Sequence, residues 1–311
     1  MQVIINHKEN IKIPMPTGVG LGNFDGLHVG HMALVNTVIR ESKLNSLSST
    51  VYTFKKHTEN ILRKKLITPL LTTVNKKIEL LGETALDCLY FDEFDEEFSR
   101  IKPEAFVKDI LADRLNARLA VAGFDYRFGY KGQGDVNALK EFGKRYNIKV
   151  IVIPPIKIDD QIVSSTLIRQ SVAKSDMETV FKLLGRHYSI TATVQSGRRI
   201  GSTIGFPTAN IHPEEYLILP SNGVYITKTL IGGTLYNSVT NIGFNPTFEG
   251  LEHKSVETHI LDFEGNLYGK IIEVFFIAKI RGEKKFRDKE ALIQQISMDV
   301  NAAREYFSSN D

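Results

Sequence analysis

The sequence predicts two domains of different architecture: a doubly wound α/β unit on a parallel sheet, then an antiparallel β-barrel with a C-terminal helix. Three observations carry this expectation. Up to about residue 184, short β-branched runs alternate with helical stretches, the grammar of a parallel sheet wrapped by helices. Beyond that point strands follow one another at close spacing between glycine turns, which suits an antiparallel barrel. A chain of 311 residues, 42% of them hydrophobic, has enough apolar material for two cores. The division is placed between residues 1–184 and 185–311.

In the first unit, strands are expected over residues 19–21, 50–54, 88–91, 119–122 and 150–153, with a further strand-like run over 158–163. Helices are expected over 32–43, 75–82, 103–115 and 136–146, where apolar residues recur near the helical period. A last helix is expected over 176–184, with Asp176 as N-cap, Glu178 in the first turn and Gly185 as its stop. In the second unit the strands are expected over 188–194, 223–230, 238–242, 255–261 and 271–280. Leu292, Ile293, Ile296, Val300 and Phe307 mark the buried stripe of a terminal helix.

Composition narrows the function classes. The net charge is +3 with no basic block, so nothing calls for a nucleic-acid partner. The single cysteine, Cys88, excludes an intramolecular disulfide and a cysteine-based zinc cluster and fits a reducing cytosol. Flanked by Leu86, Leu89 and Tyr90, it reads as a buried strand residue rather than a nucleophile. Residues 1–13 carry polar side chains throughout, unlike a signal peptide. The longest apolar run, 150–156, contains Pro154 and Pro155 and is too short to span a bilayer. A soluble, cytoplasmic protein without a membrane partner is expected.

Four stretches carry chemistry. Gly22-Asn23-Phe24-Asp25-Gly26-Leu27-His28-Val29-Gly30-His31 follows an apolar strand and leads into the apolar face of a helix. Backbone N–H groups and the positive end of the helix dipole make that place an anion site. His28 and His31 add donors suited to a phosphate whose charge grows during reaction. The pattern points to nucleotidyl transfer; an HxGH signal also marks class I aminoacyl-tRNA synthetases, but their lysine-rich KMSKS element is not visible. Ser164-Ser165-Thr166-Leu167-Ile168-Arg169 opens another helix. Its hydroxyls, with Arg169, could hold phosphate oxygens, although alone it would read as an ordinary N-cap.

Gly123-Phe124-Asp125-Tyr126-Arg127-Phe128-Gly129 could stack a flat ring or form a buried aromatic cluster, and the residues alone do not decide between them. The run from Phe91 to Phe98 reads as a solvated acidic surface with spaced apolar anchors. In the second unit, Gly197, Gly201 and Gly205 recur every four residues in a stretch ending Pro207-Thr208-Ala209-Asn210. No Gly-Lys-Ser/Thr follows, so it is not a Walker loop, yet it could form a flap over phosphates or simply be a loop with turn glycines. Thr208 and Asn210 share a side of an extended segment and offer oxygen ligands suited to Mg²⁺. Glu257 could take a proton from a substrate hydroxyl; on its own it reads more simply as a solvent-facing strand glutamate.

Together these motifs resemble the prokaryotic bifunctional riboflavin kinase/FAD synthetase family. The resemblance rests on GNFDGLHVGH, GFDYRFG, SSTLIR, LGRHYSI, IGFPTAN, NGVY, NIGFNPTF, VETHILDF, YGK and IRGEKKF, in family order over essentially the whole chain. It implies a nucleotidyltransferase domain that transfers AMP from ATP to FMN, giving FAD, and a barrel that phosphorylates riboflavin to FMN. It implies ATP and Mg²⁺ as cosubstrate and metal, and small-molecule partners only. His28 and His31 would stabilise the reacting phosphates. Ser164, Thr166 and Arg169 would hold phosphates, Asn23 and Phe24 would line the nucleotide and flavin cleft, and Asp125 would meet the flavin. Gly197, Gly201 and Gly205 would form the kinase's ATP flap, Thr208 and Asn210 would bind Mg²⁺, and Glu257 would be the kinase base.

The sequence departs from the family pattern in both halves. Phe54-Lys55-Lys56-His57-Thr58 stands where F-x-P-H-P is usual. In the kinase half Ala192 replaces a usual glycine, Ser196 a frequent histidine, and Ser202 a common arginine. Two rivals follow: an FAD synthetase with a weak or silent kinase half, and a flavin-binding regulator without turnover.

Overall fold

A computed structural model describes the protein except for residues 7–10, 56–59, 62–67, 198–199, 215, 247–251 and 311. Lys56, His57, Thr58, Arg198 and Arg199 thus lie outside the described residues, as does the side chain of Ser202. By its contacts the chain divides into two compact units, Met1–Ser165 and Thr166–Asp311.

The first unit is built on a six-stranded sheet of order β1-β4-β3-β2-β5-β6, every neighbouring pair parallel. The strands are β1 (Gln2–Ile5), β2 (Thr17–Leu21), β3 (Ser48–Phe54), β4 (Cys88–Asp92), β5 (Ala117–Gly123) and β6 (Lys149–Ile153). The helices between them are α1 (Val29–Leu44), α2 (Val74–Gly82), a short α3 (Pro103–Ala105) running into a π-helical Phe106–Ala112, and α4 (Val136–Arg145). β2 is buried along its whole length, and Leu34, Val35 and Val38 of α1 belong to the same core as Phe24, Val51 and Leu89. The chain runs outward from β2 through β3 to β4, then returns to β5 on the other side of β2. That reversal makes the carboxyl ends of β2 and β5 the switch point where doubly wound sheets bind ligands.

Two elements differ from the sequence reading. β1 pairs with β4 at the sheet edge; four residues, none of them fully buried, give too short a pattern to stand out. The run over 158–163 is a hairpin rather than one strand. β7 (Lys157–Ile158) pairs antiparallel with β8 (Gln161–Ile162). Asp159 and Asp160 turn at φ 48° and 61°, the left-handed conformation that two-residue hairpin loops need.

In the second unit α5 (Ser165–Lys174) and α6 (Met177–Leu184) precede a closed barrel of order β10-β13-β12-β11-β14-β9. Asp176 caps α6 through the Thr179 N–H, and Gly185 closes it at φ 71°. The barrel strands are β9 (Tyr188–Gln195), β10 (Ala209–Ile211), β11 (Gly223–Ile231), β12 (Thr234–Pro246), β13 (Glu252–Ile260) and β14 (Ile271–Arg281). Neighbours are antiparallel throughout. The contact-based units meet at 165/166, whereas the division of activities expected from the sequence falls after residue 184. The hydroxyl of Ser175, just after α5, bonds at 2.6 Å to both Ser221 and Tyr225 of the barrel unit.

α8 (Lys289–Asn310) lays Val300, Ala303 and Phe307 on Val224, Ile226 and Val239. Leu292 and Ile293, expected in the same stripe, are only half-buried. Inside the barrel, Thr229, Ser238, Thr227, Thr240 and Thr258 form a chain of hydroxyl contacts of 2.8–2.9 Å. A hydroxyl can donate once and accept twice, so the buried oxygens satisfy one another.

Candidate functional site

In the first unit the site grows from the switch point. Leu21, the last residue of β2, sits between Tyr52 of β3 and Ala122 of β5, so residues 22–28 leave the sheet beside the turn that carries Asp125. His28 is the N-cap of α1, and its Nδ1 accepts the His31 N–H at 3.2 Å. Since Nδ1 is an acceptor, the proton of the neutral ring sits on Nε2, which points the ring's donor away from the cap. The His28 and His31 rings stack with centroids 3.6 Å apart and 15° between planes. The first turn of α1 has no acidic residue, and the positive end of a helix favours an anion.

The 22–28 loop is strained and firmly held. Phe24 and Leu27 adopt φ of 49° and 42°, a region that non-glycine residues occupy only when their surroundings over-determine it. Asp25, buried, accepts the Leu71 N–H at 3.0 Å and the Thr72 N–H at 3.1 Å. Thr72 Oγ1 accepts the Gly26 N–H at 3.1 Å. The Asn23 carbonyl accepts from Thr53 Oγ1 at 3.0 Å and from Lys77 Nζ at 2.7 Å. Ser165 Oγ donates to the Asp25 carbonyl at 2.8 Å. Of these anchors, sequence reasoning singled out none. Ser165 lay inside a quoted motif, while Lys77 carried no signal beyond the Lys76-Lys77 pair.

The predicted residues fall into place unequally. Asn23 is exposed at the start of the loop and Asp125 is exposed just after β5. Phe24 is different: it is fully buried, its ring 5.3 Å from that of His31. Its left-handed backbone turns the side chain into the core, so it supports His31 from beneath and does not line a cleft. Ser164 precedes α5, and Thr166 and Arg169 sit in its first turns. The open choice at 123–129 resolves towards the core. Phe128 is buried against Phe106, and Tyr126 stacks on Phe128. Of the three aromatics only Phe124 stays exposed.

Nor is the 91–98 run a plain acidic surface. Asp92 is buried and accepts from Asn6 at 2.7 Å, Tyr52 at 2.6 Å and Arg114 at 2.9 Å. Cys88 is buried as expected, and burial pushes its thiol up to about 11.

The barrel's site is a row across neighbouring strands. Val256 and Thr258 are fully buried, and Thr258 belongs to the interior hydroxyl chain. Alternation along the strand therefore turns Glu257, between them, to the outer face. In register with Glu257 stand Asn210 of β10 on one side and Asn241 of β12 on the other. Directly opposed residues share a face, with Cβ atoms about 5 Å apart, so the predicted pair Asn210 and Glu257 are neighbours. Asn241 is an addition; it sat inside the NIGFNPTF pattern, but only the strand register gives it a place. Glu257 is half-buried within this row, unlike a plain solvent-facing glutamate.

Two glycines of the 197–205 stretch approach Asn210 and Thr208 closely. A Cβ on Gly197 would lie 2.5 Å from Asn210 Nδ2, and one on Gly201 would lie 3.3 Å from Thr208 Oγ1 and 2.3 Å from the Phe206 carbonyl oxygen. The backbone thus approaches both candidate metal ligands at positions where a side chain would collide. Residues Ile200–Thr203 form a short helix, α7, where a loop was expected. His259, two residues along β13 from Glu257, has Nδ1 2.8 Å from the Pro207 carbonyl and its ring 5.5 Å from Phe206. It tethers the segment that enters Thr208. Gly197→Ala is expected to lower riboflavin phosphorylation at least about tenfold, a displacement effect, with FAD formation from FMN unchanged. Parallel assays of the two reactions check this.

Comparisons with known proteins agree with both halves. The FAD synthetase family pattern matches residues 10–167 and the riboflavin kinase pattern residues 184–307. The bifunctional riboflavin kinase/FMN adenylyltransferase of Buchnera aphidicola subsp. Schizaphis graminum is 37% identical, with 96% of each chain covered. The Bacillus subtilis protein of the same name is 34% identical, over 93% of this chain and 92% of that one. The Escherichia coli K12 protein is 33% identical, over 92% and 91%. A crystal structure from Streptococcus pneumoniae, described as a macrolide-efflux protein, superposes with a TM-score of 0.89 at 29% identity. It covers 98% of this chain and 99% of that one. Among the described residues, no helix here is long and apolar enough to cross a membrane. The two matching patterns, the relatives and the two sites place this chain in the bifunctional riboflavin kinase/FMN adenylyltransferase family.

Proposed function

We propose that the chain makes FMN from riboflavin and FAD from FMN, each at the expense of ATP. The observation that supports both halves best is that each unit carries its own cluster of polar groups, and the two clusters differ in chemistry. One has a stacked histidine pair at the start of a helix whose first turn carries no acidic residue. The other has a carboxylate in register with an amide beneath a glycine flap.

In adenylyl transfer an oxygen of the FMN phosphate attacks the α-phosphorus of ATP and the bond to pyrophosphate breaks. The attacking phosphate is already anionic at neutral pH, so the site must position and stabilise rather than deprotonate. His28 Nε2 and His31 supply donors to the α-phosphate, Ser164, Thr166 and Arg169 hold phosphate oxygens, and Asn23 and Asp125 meet the nucleotide and flavin. We assign this reaction to residues 1–184.

In the kinase, assigned to residues 185–311, the primary alcohol of riboflavin must lose its proton as it attacks the γ-phosphorus and ADP leaves. Glu257 accepts that proton. Thr208 and Asn210 would hold Mg²⁺, and their neutral oxygens beneath the flap suit a hard cation delivered with ATP. The metal neutralises phosphate charge when bound. We place the protein in the cytoplasm with small-molecule partners only.

One observation favours a second reading, a chain that makes FAD but phosphorylates riboflavin weakly: Ala192, Ser196 and Ser202 depart from the family pattern. Ala192 itself sits in regular β9 pairing opposite Ile272, with no sign that glycine is needed. Riboflavin and Mg-ATP given to purified protein should yield FMN and then FAD. FAD from FMN but no product from riboflavin would select the second reading; flavin binding with no pyrophosphate release in either assay would select the regulator.

A further inference from the structure

Lys77 is 6% exposed on α2 and takes no part in either reaction as described. Its ammonium donates to the Asn23 carbonyl at 2.7 Å and lies 5.9 Å from the centre of the Phe91 ring. With Asn23, Asp25, Phe54, Lys55, Leu70, Thr72 and Val74 it lines a cavity of about 10 Å³ beneath the loop. Burying an ammonium costs several kcal/mol unless its surroundings compensate. The need for a donor does not explain it, because Thr53 Oγ1 already satisfies the Asn23 carbonyl. What a hydroxyl cannot bring is positive charge beneath a loop that must receive phosphates. Lysine also bridges α2 to the first residue of a segment whose next residues hold left-handed backbone at Phe24 and Leu27.

We infer that Lys77 is a positioning residue for adenylyl transfer: its buried ammonium clamps the Asn23 carbonyl and fixes the strained loop that presents His28 and His31. The role lies in the reaction, through the loop, and not in contact with the reacting atoms. It rests on the proposed FMN adenylylation by this unit. The charge is conditional. Burial pushes the Lys77 ammonium down to about 8, with the Asp25 carboxylate working against that shift. Asp25 from the loop and Lys55 from the end of β3 are the other charged groups on the described cavity wall.

The test uses the full-length chain with FMN and Mg-ATP, following FAD and pyrophosphate, with riboflavin phosphorylation and thermal unfolding measured in parallel. K77M should cut kcat for FAD synthesis about 10- to 100-fold, the scale of a displaced positioning element. KM for FMN should stay within about threefold and the kinase rate should not change. K77R should recover most of kcat. The unsubstituted protein should lose rate above pH about 8, where Lys77 gives up its charge, and K77R should not, since a guanidinium stays charged there. K77M turning over within about twofold of the unsubstituted rate would overturn the inference. So would equal losses in K77M and K77R with equally lowered melting temperatures, which would mark a packing role only. Absence of FAD synthesis by the unsubstituted chain would instead sink the functional reading itself.

Discussion

Replacing His31 by alanine, or His28 by asparagine, is expected to slow FAD synthesis from FMN about 100- to 1000-fold, the usual loss for one preorganised donor to a developing charge. The choice of asparagine at position 28 follows from the capping geometry. His28 has two duties: its Nδ1 accepts the His31 N–H, and its Nε2 is the donor proposed for the α-phosphate. Asparagine is among the best N-cap residues, so His28→Asn keeps the helix start and removes only the donor. His28→Ala removes both, and should add a stability loss of about 1 kcal/mol. If His28→Asn retained near-normal turnover while His28→Ala did not, the residue would be a cap and nothing more. Single-turnover FAD formation, with melting curves for each variant, separates these outcomes. Riboflavin phosphorylation in the same preparations should be unchanged.

Glu257→Gln should lower riboflavin phosphorylation about 100- to 10,000-fold, the range for loss of a positioned general base, and leave adenylyl transfer alone. Glutamine keeps the size of the side chain and its place between Asn210 and Asn241. It cannot accept the proton of the substrate hydroxyl. A drop in both activities would point to a folding defect, and unchanged kinase turnover would remove Glu257 from the mechanism. KM for riboflavin should move little, because the missing interaction belongs to the transition state. Steady-state assays of each reaction, run on one preparation, measure both quantities.

The two sites were legible in the sequence to different depths. His28 and His31 announce themselves because a strand, a glycine-bounded turn and a helix start are all local patterns. Glu257 was not legible as a base from its own neighbourhood; its meaning depends on Asn210, distant in sequence and brought opposite by strand register. Asn241 was hidden for the same reason. Lys77 shows the limit of periodicity, since a lysine next to another lysine on an amphipathic helix looks solvated, yet the fold turns one of the pair inward. Phe24 shows the converse. It lies in the middle of the most informative motif, but a left-handed backbone sends its ring into the core. The hairpin at 157–162 was readable, since two consecutive aspartates suit its turn, but the flanking β-branched residues suggested a single strand.

The hydroxyls inside the barrel have a consequence for how this sequence can change over time. Thr240 sits between Thr227 and Thr258, so a valine there would fit in volume yet strand the Thr258 hydroxyl and leave Thr227 bonded to Ser238 alone. Each stranded hydroxyl costs about 1–3 kcal/mol, a large share of a domain's margin of stability. Replacing the chain by apolar residues throughout would avoid that loss, but only if several strands changed together. Drift in the barrel interior is therefore concerted: substitutions at 227, 229, 238, 240 and 258 should survive as sets, and single steps should be removed by selection.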